Sequence, residues 1–167
     1  MQQLIDLKNT WMASHITDAE FPTPESEVGL ALYQRDQQTQ RGEVVSEPLA
    51  EPDGSLSIYP VDCHPLTIRY ALVLGSKWDA QDEEKDALIE YLTQIMFEDD
   101  SPAQLFVGFF KGKPAACGMI YQDAEQGALI TDVHALPLPN QAALIAEMQA
   151  ALLQRTADKM PLLYLEH

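Results

Sequence analysis

The sequence predicts an α/β domain with a mixed, mostly antiparallel central sheet and helices on both faces, and three observations lead there. Residues 104–110 (QLFVGFF) and 115–122 (AACGMIYQ) are apolar, aromatic-rich runs of strand length. They are joined by Lys111-Gly112-Lys113-Pro114, a short turn with a glycine where a hairpin needs one. Residues 128–136 (ALITDVHAL) follow a second polar turn and form a third strand that pairs back on the second. Beyond Pro137-Leu138-Pro139-Asn140 the apolar period becomes helical, with Leu144, Ile145, Met148 and Leu152 on one stripe of a helix over 141–156. A strand thus leads through a short loop to a helix N-terminus, where free N–H groups and the positive dipole end favour an anionic ligand.

From the start of the chain, Leu4, Leu7 and Trp11 share one face with Ile5 and Met12 alongside, which predicts a helix over 1–16. Phe21-Pro22-Thr23-Pro24 ends it, and Thr23 before Pro24 suits the N-cap and first turn of a second helix over 25–40. Val28, Leu30, Leu32 and Tyr33 fit alternation nearly as well, and Gly29 weakens the helical pattern. Residues 41–56, rich in Glu, Pro, Ser, Asp and Gly and without periodicity, read as a loop or linker. The chain therefore divides into an N-terminal helical segment with its loop, 1–56, and an α/β domain, 57–164.

Within that domain, 57–61 (SIYPV) reads as a short edge strand, because Pro60 cannot donate to a ladder. Residues 66–74 (LTIRYALVL), rich in β-branched and aromatic side chains, read as a central strand. Asp79 is placed as the cap of a helix over 80–97 whose Leu88, Ile89, Leu92, Ile95 and Met96 form one stripe. Asp82, Glu83 and Glu84 in its first turn suit the helix dipole. Glu98-Asp99-Asp100-Ser101-Pro102 ends it as a solvated acidic loop without the spacing of an EF-hand. Residues 160–165 (MPLLYL) read as a last strand, buried on both faces. Leu165-Glu166-His167 look like the start of an expression tag, so 165–167 are set apart from functional argument. Either the segment before Leu66 covers the edge of the last strand, or a bare apolar edge there favours a homodimer.

Ten basic residues against 26 acidic ones give a net charge of −16. That field repels phosphodiester backbones, and no basic cluster opposes it, so nucleic acid is excluded as a partner. A small amine or a basic protein substrate fits better, although an acidic surface that only maintains solubility has the same composition. No apolar run approaches ~20 residues, which argues against a membrane span. The first residues carry charges and glutamines where a signal peptide needs an apolar core, so a cytoplasmic location is expected. Cys63 and Cys117 have neither metal nor redox spacing and read as buried thiols. A zinc site of Cys63, His64, Cys117 and His134 is disfavoured, since neighbours on an extended chain point to opposite sides.

On the third strand Asp132 and His134 are two apart and share a face, while Val133 between them faces the core. A histidine of near-neutral pKa or a carboxylate can serve as a general base; the alternative is a polar pair exposed at a strand end.

The element order, together with the phrase FVGFFKGKPAACGMIY, resembles the GNAT family of acyl-CoA N-acyltransferases over roughly residues 66–165. The resemblance implies acetyl-CoA or a relative as cofactor, with the backbone N–H near Val133 hydrogen-bonding the thioester carbonyl. It implies catalytic roles for His134 and Asp132, and pyrophosphate binding by the amides of Gln141, Ala142 and Ala143. The family wraps pyrophosphate with a turn of the form Arg/Gln-x-x-Gly-x-Gly/Ala. Here the matching positions read Pro139-Asn140-Gln141-Ala142-Ala143-Leu144, without arginine or glycine, and the β-carbons of Ala142 and Ala143 crowd a phosphate. Weak acyl-CoA binding is the expectation. GNAT-like chains usually continue with a further helix, often carrying a tyrosine acid; Tyr121 and Tyr164 read instead as packed aromatics. Two functions follow: acyl transfer from acetyl-CoA or a related acyl-CoA to an amine, or a non-catalytic GNAT-like protein-binding or structural module.

Overall fold

The computed structural model describes residues 1–47, 49–78, 82–96 and 98–167, and of Asp82 the backbone alone. The centre of the sheet is the hairpin of β3 (Ala103–Phe110) and β4 (Lys113–Asp123). Lys111 and Gly112 turn the chain with φ of 51° and 77°, the two left-handed residues that a two-residue hairpin loop requires. On one side of the hairpin β2 (Leu56–Pro60) pairs antiparallel with β3 as an edge strand. On the other, β5 (Gly127–Ala135) pairs antiparallel with β4, and β6 (Leu163–Glu166) runs parallel to β5. The crossover that this parallel pair needs is α5 (Gln141–Ala157). Last comes β1 (Gly42–Val44), antiparallel to β6, which makes the order β1-β6-β5-β4-β3-β2.

Helix α5 covers one face of this sheet, with Leu144, Met148 and Leu152 against Phe106 and Ile130. The other face carries α1 (Gln2–Thr17), α2 (Pro24–Gln37), α3 (His64–Gly75) and α4 (Asp82–Leu92). Their Met12, Tyr33, Tyr70, Leu88 and Leu92 pack with Leu105, Met119 and Leu129. The fold class is the expected one: a mixed, mostly antiparallel sheet between helices. Thr23 caps α2 as the sequence suggests, accepting from the Ser26 amide at 3.2 Å. Gly29, which weakens α2 by propensity, is demanded by packing, because a β-carbon there would sit 2.1 Å from the Ala87 carbonyl oxygen of α4.

Five expectations need correction. Residues 66–74 are not a strand but lie in α3, which opens with Pro65 in its first turn. Thr67, Tyr70, Ala71 and Leu74 are buried at helical spacing, while Ile68 and Leu72 lie on the outer face and hide the amphipathic pattern. The loop 41–56 contains β1 and the first residue of β2, so the N-terminal segment supplies a strand to the same sheet and covers the edge of β6. The last strand begins at Leu163 and runs through Glu166, while Arg41 and His167 exchange backbone hydrogen bonds of 2.7 and 2.9 Å. Residues set apart as a tag are thus part of the pairing. Helix α4 ends at Leu92, leaving Ile95 buried and Met96 exposed beyond it; Asp79, Ala80 and Phe97 lie outside the described residues. Cys63 is exposed at the start of α3, and only Cys117 is buried.

Candidate functional site

The chemistry gathers where β5 changes its course. Its ladder with β4 is regular to Thr131, opposite Met119, and resumes at His134, opposite Cys117, so Asp132 and Val133 face Gly118 alone. This is a β-bulge, a device that re-aims a side chain. Asp132 adopts a φ of 54°, a left-handed conformation that aspartate tolerates better than most residues. Gly118 makes room for it, since a β-carbon there would lie 2.5 Å from Leu152 and 3.2 Å from Val133. As expected, Val133 packs on the α5 side and Asp132 turns to the opposite face.

Asp132 is buried and doubly engaged: the Tyr33 hydroxyl donates to Oδ2 at 2.7 Å and the Gln37 amide donates to Oδ1 at 3.2 Å. The expectation of an exposed polar pair therefore fails for Asp132. Gln37 also accepts from the Lys8 ammonium at 2.5 Å, and Lys8 is ion-paired with Glu166 at 2.8 Å. Thr131 donates to the same Glu166 oxygen at 2.7 Å. Six side chains from α1, α2, β5 and β6 thus form one network holding a buried cation and two carboxylates. Burial, reinforced by the Asp132 charge, pushes the Tyr33 and Tyr70 hydroxyls well above their ordinary pKa, so both remain donors. The same causes push the Cys117 thiol far up, which removes it as a nucleophile. The Tyr70 hydroxyl is buried without a partner among the described residues.

His134 lies on the same face, half-buried, with Nε2 3.1 Å from the Ser76 hydroxyl that follows α3. Among the described residues no three His, Cys, Asp or Glu side chains are grouped to hold a metal ion. Sequence reasoning missed Tyr33, Gln37, Lys8 and Glu166; the available signal was a lysine on the apolar stripe of α1, between Leu4 and Trp11. It also missed Glu147, buried on α5, which accepts from the Leu56 amide at 3.0 Å and from the Ser55 hydroxyl and so anchors β2.

At the α5 end of the site, the loop closes on itself. The Leu138 amide donates to Leu136 at 2.7 Å, the Gln141 amide to Leu138 at 3.0 Å, and the Gln141 side chain to Ala135 at 2.9 Å. Gln141 is therefore engaged in fixing the loop to β5. Ala142 and Ala143 stand exposed in the first turn, where helix geometry leaves their amides without intrahelical acceptors. Beside them β5 has an open edge, since β6 pairs with it only at Ala128, Leu129 and Ile130. An acyl-CoA finds two free amides and a helix dipole for its pyrophosphate and an unpaired strand edge for its extended amide arm, but no basic side chain between 136 and 143. Separately, a cleft of about 550 Å³ opens between α1, α2, β1 and the end of β6, with Tyr33, Gln37 and Glu166 among its lining residues.

No helix among the described residues is long and apolar enough to cross a membrane. No protein-family model matches the sequence, and no curated protein does. Among solved structures, the fold is similar to that of a functionally unknown conserved protein from Staphylococcus epidermidis ATCC 12228, with a TM-score of 0.53 and 14% identity. That match covers 81% of this chain and 55% of the other. A GCN5-related N-acetyltransferase from Kribbella flavida aligns with a TM-score of 0.48 and 16% identity, over 83% of this chain and 54% of that one. The chain spans about half the length of both structures. The first likeness establishes a shared α/β fold and nothing about activity.

Proposed function

We propose that this chain is a GNAT-like N-acyltransferase that moves an acyl group from acetyl-CoA or a related acyl-CoA to an amine. The observation that carries the reading is the open edge of β5 beyond Ile130, which runs from the bulge at Asp132 and Val133 to the free first turn of α5. When bound, acyl-CoA supplies a thioester carbonyl activated toward amines. The backbone beside Val133 provides the donor for that carbonyl, and the amides of Ala142 and Ala143 hold the pyrophosphate. His134 is the group that takes the amine proton, at an imidazole nitrogen, with Ser76 orienting the ring, while the amide C–N bond forms, the thioester C–S bond breaks and CoA departs as its thiolate. Asp132 has both oxygens engaged by Tyr33 and Gln37, so it positions the bulge and does not act as a base.

A second reading, a non-catalytic GNAT-like module that binds a protein partner, is favoured by the engagement of the Leu138 and Gln141 amides within the loop. Calorimetric titration with acetyl-CoA separates the two. The acyltransferase reading expects a Kd on the order of 100 µM or poorer, lost in Ala142→Asp. His134→Ala should then remove turnover of an amine while sparing binding. No binding at millimolar acetyl-CoA would leave the module as the surviving reading.

A further inference from the structure

The cleft of about 550 Å³ between α1, α2, β1 and β6 lies within the size range of small-molecule sites. Its walls have an unusual chemistry. Gln2, Asn9, Gln34, Gln38 and Gln40 bring carboxamides, and among the described residues the one ionised side chain that lines it is Glu166. Glu166 is almost fully buried and uses Oε1 for both Lys8 and Thr131, which leaves Oε2 as its second acceptor. Lys8, with no exposed surface, does not itself reach the cleft. The Oδ1 atom of Asn9 is buried with no hydrogen-bond partner among the described residues. A buried acceptor without a donor costs on the order of 1–3 kcal/mol, and a turn of the Asn9 side chain toward the cleft it lines lets an arriving donor recover that cost.

We propose that this cleft is a binding site for a primary ammonium group carried on a small polar molecule. An ammonium brings three donors on a point charge, matching Glu166 Oε2, Asn9 Oδ1 and one carboxamide oxygen of the wall. A guanidinium prefers two oxygens of one carboxylate, and here Oε1 is already doubly engaged. An anion meets acceptors, the Glu166 charge and a net charge of −16, and is excluded. The site stands on α1, α2, β1 and β6 and needs no acyl donor, so it survives if acyl-CoA does not bind.

The test is an amide-resolved NMR titration of the whole chain with n-butylamine at neutral pH, beside n-butanol, n-butylguanidine and butyrate, each to about 50 mM, a range that reaches weak millimolar affinity. Saturable shifts at Asn9, Gln34, Gln37 and Glu166 with the amine, several-fold weaker with the alcohol and the guanidine and absent with butyrate, are expected. Asn9→Leu and Gln34→Leu, each made apart from the Lys8 ion pair, should weaken the amine at least several-fold without lowering the melting temperature. Equal response to amine and alcohol, shifts that map elsewhere, or full affinity in both variants would overturn the site.

Discussion

Replacing Lys8 by Met tests the network that joins the N-terminal helices to the end of β6. The side chains of Lys8 and Glu166 are 0% and 2% exposed at an N–O separation of 2.8 Å, so water cannot take over from the lost partner. Removing one member of a buried pair typically costs about 3–5 kcal/mol, because the other charge is left uncompensated. Glu166 keeps the Thr131 hydroxyl, which moderates the loss, whereas Gln37 loses its own donor, which adds to it. The expected cost is therefore about 3–4 kcal/mol, a large part of the roughly 5–15 kcal/mol typical of a domain. Adding Glu166→Gln removes the stranded charge, and the double variant should recover at least about half of the deficit. Urea unfolding followed by the fluorescence of Trp11 and Trp78 reads both quantities by linear extrapolation. A single-variant loss below about 1 kcal/mol, the size of an exposed pair, would refute the burial of this pair and the extension of β6 through Glu166. Strict additivity in the double variant would refute their coupling.

Tyr33→Phe removes the shortest donor to Asp132 and should lower stability by about 1–3 kcal/mol, measured in the same urea assay; an unchanged midpoint would mean that Asp132 faces water. Leu92→Ala and Leu144→Ala empty sites on opposite faces of the sheet, each 0–1% exposed, and should each cost roughly 2–5 kcal/mol. Losses under about 1 kcal/mol at both would show that the helix faces are wrongly assigned. Burial, partly opposed by Asp18, holds the His15 imidazole below its ordinary pKa. As pH falls below about 6.5 the unfolded chain binds this proton before the folded one, so stability is greatest above that pH and declines beneath it. His15→Gln should flatten that decline, and identical pH slopes for both proteins would contradict the assignment.

How much of this was legible depends on whether one stripe of the sequence carried the pattern alone. The hairpin was readable because Lys111 and Gly112 sit between two apolar runs, and α5 because Leu144, Met148 and Leu152 are buried at a helical period with Glu147, Gln149, Gln154 and Arg155 among the polar residues between and after them. Helix α3 was misread as a strand because its outer face bears Ile68 and Leu72, 39% and 47% exposed, so the stripe through Thr67, Tyr70, Ala71 and Leu74 had only Arg69 as polar contrast. Three-residue β1 offers no period at all; it is a strand because β6 gives it a partner, a tertiary cause. The site was half legible for the same reason. Alternation correctly placed Asp132 and His134 on one face, but it also assigns Thr131 to the opposite one. In the fold Thr131 reaches Glu166, which holds Lys8 of α1, while Asp132 reaches Tyr33 and Gln37 of α2. Two adjacent residues can serve one face only if the strand breaks its period between them, and the left-handed φ of Asp132 is that break. Its one trace in the sequence is on the other strand: Gly118, interrupting an otherwise filled run, marks where β5 bulges and Leu152 of α5 comes too close for any β-carbon.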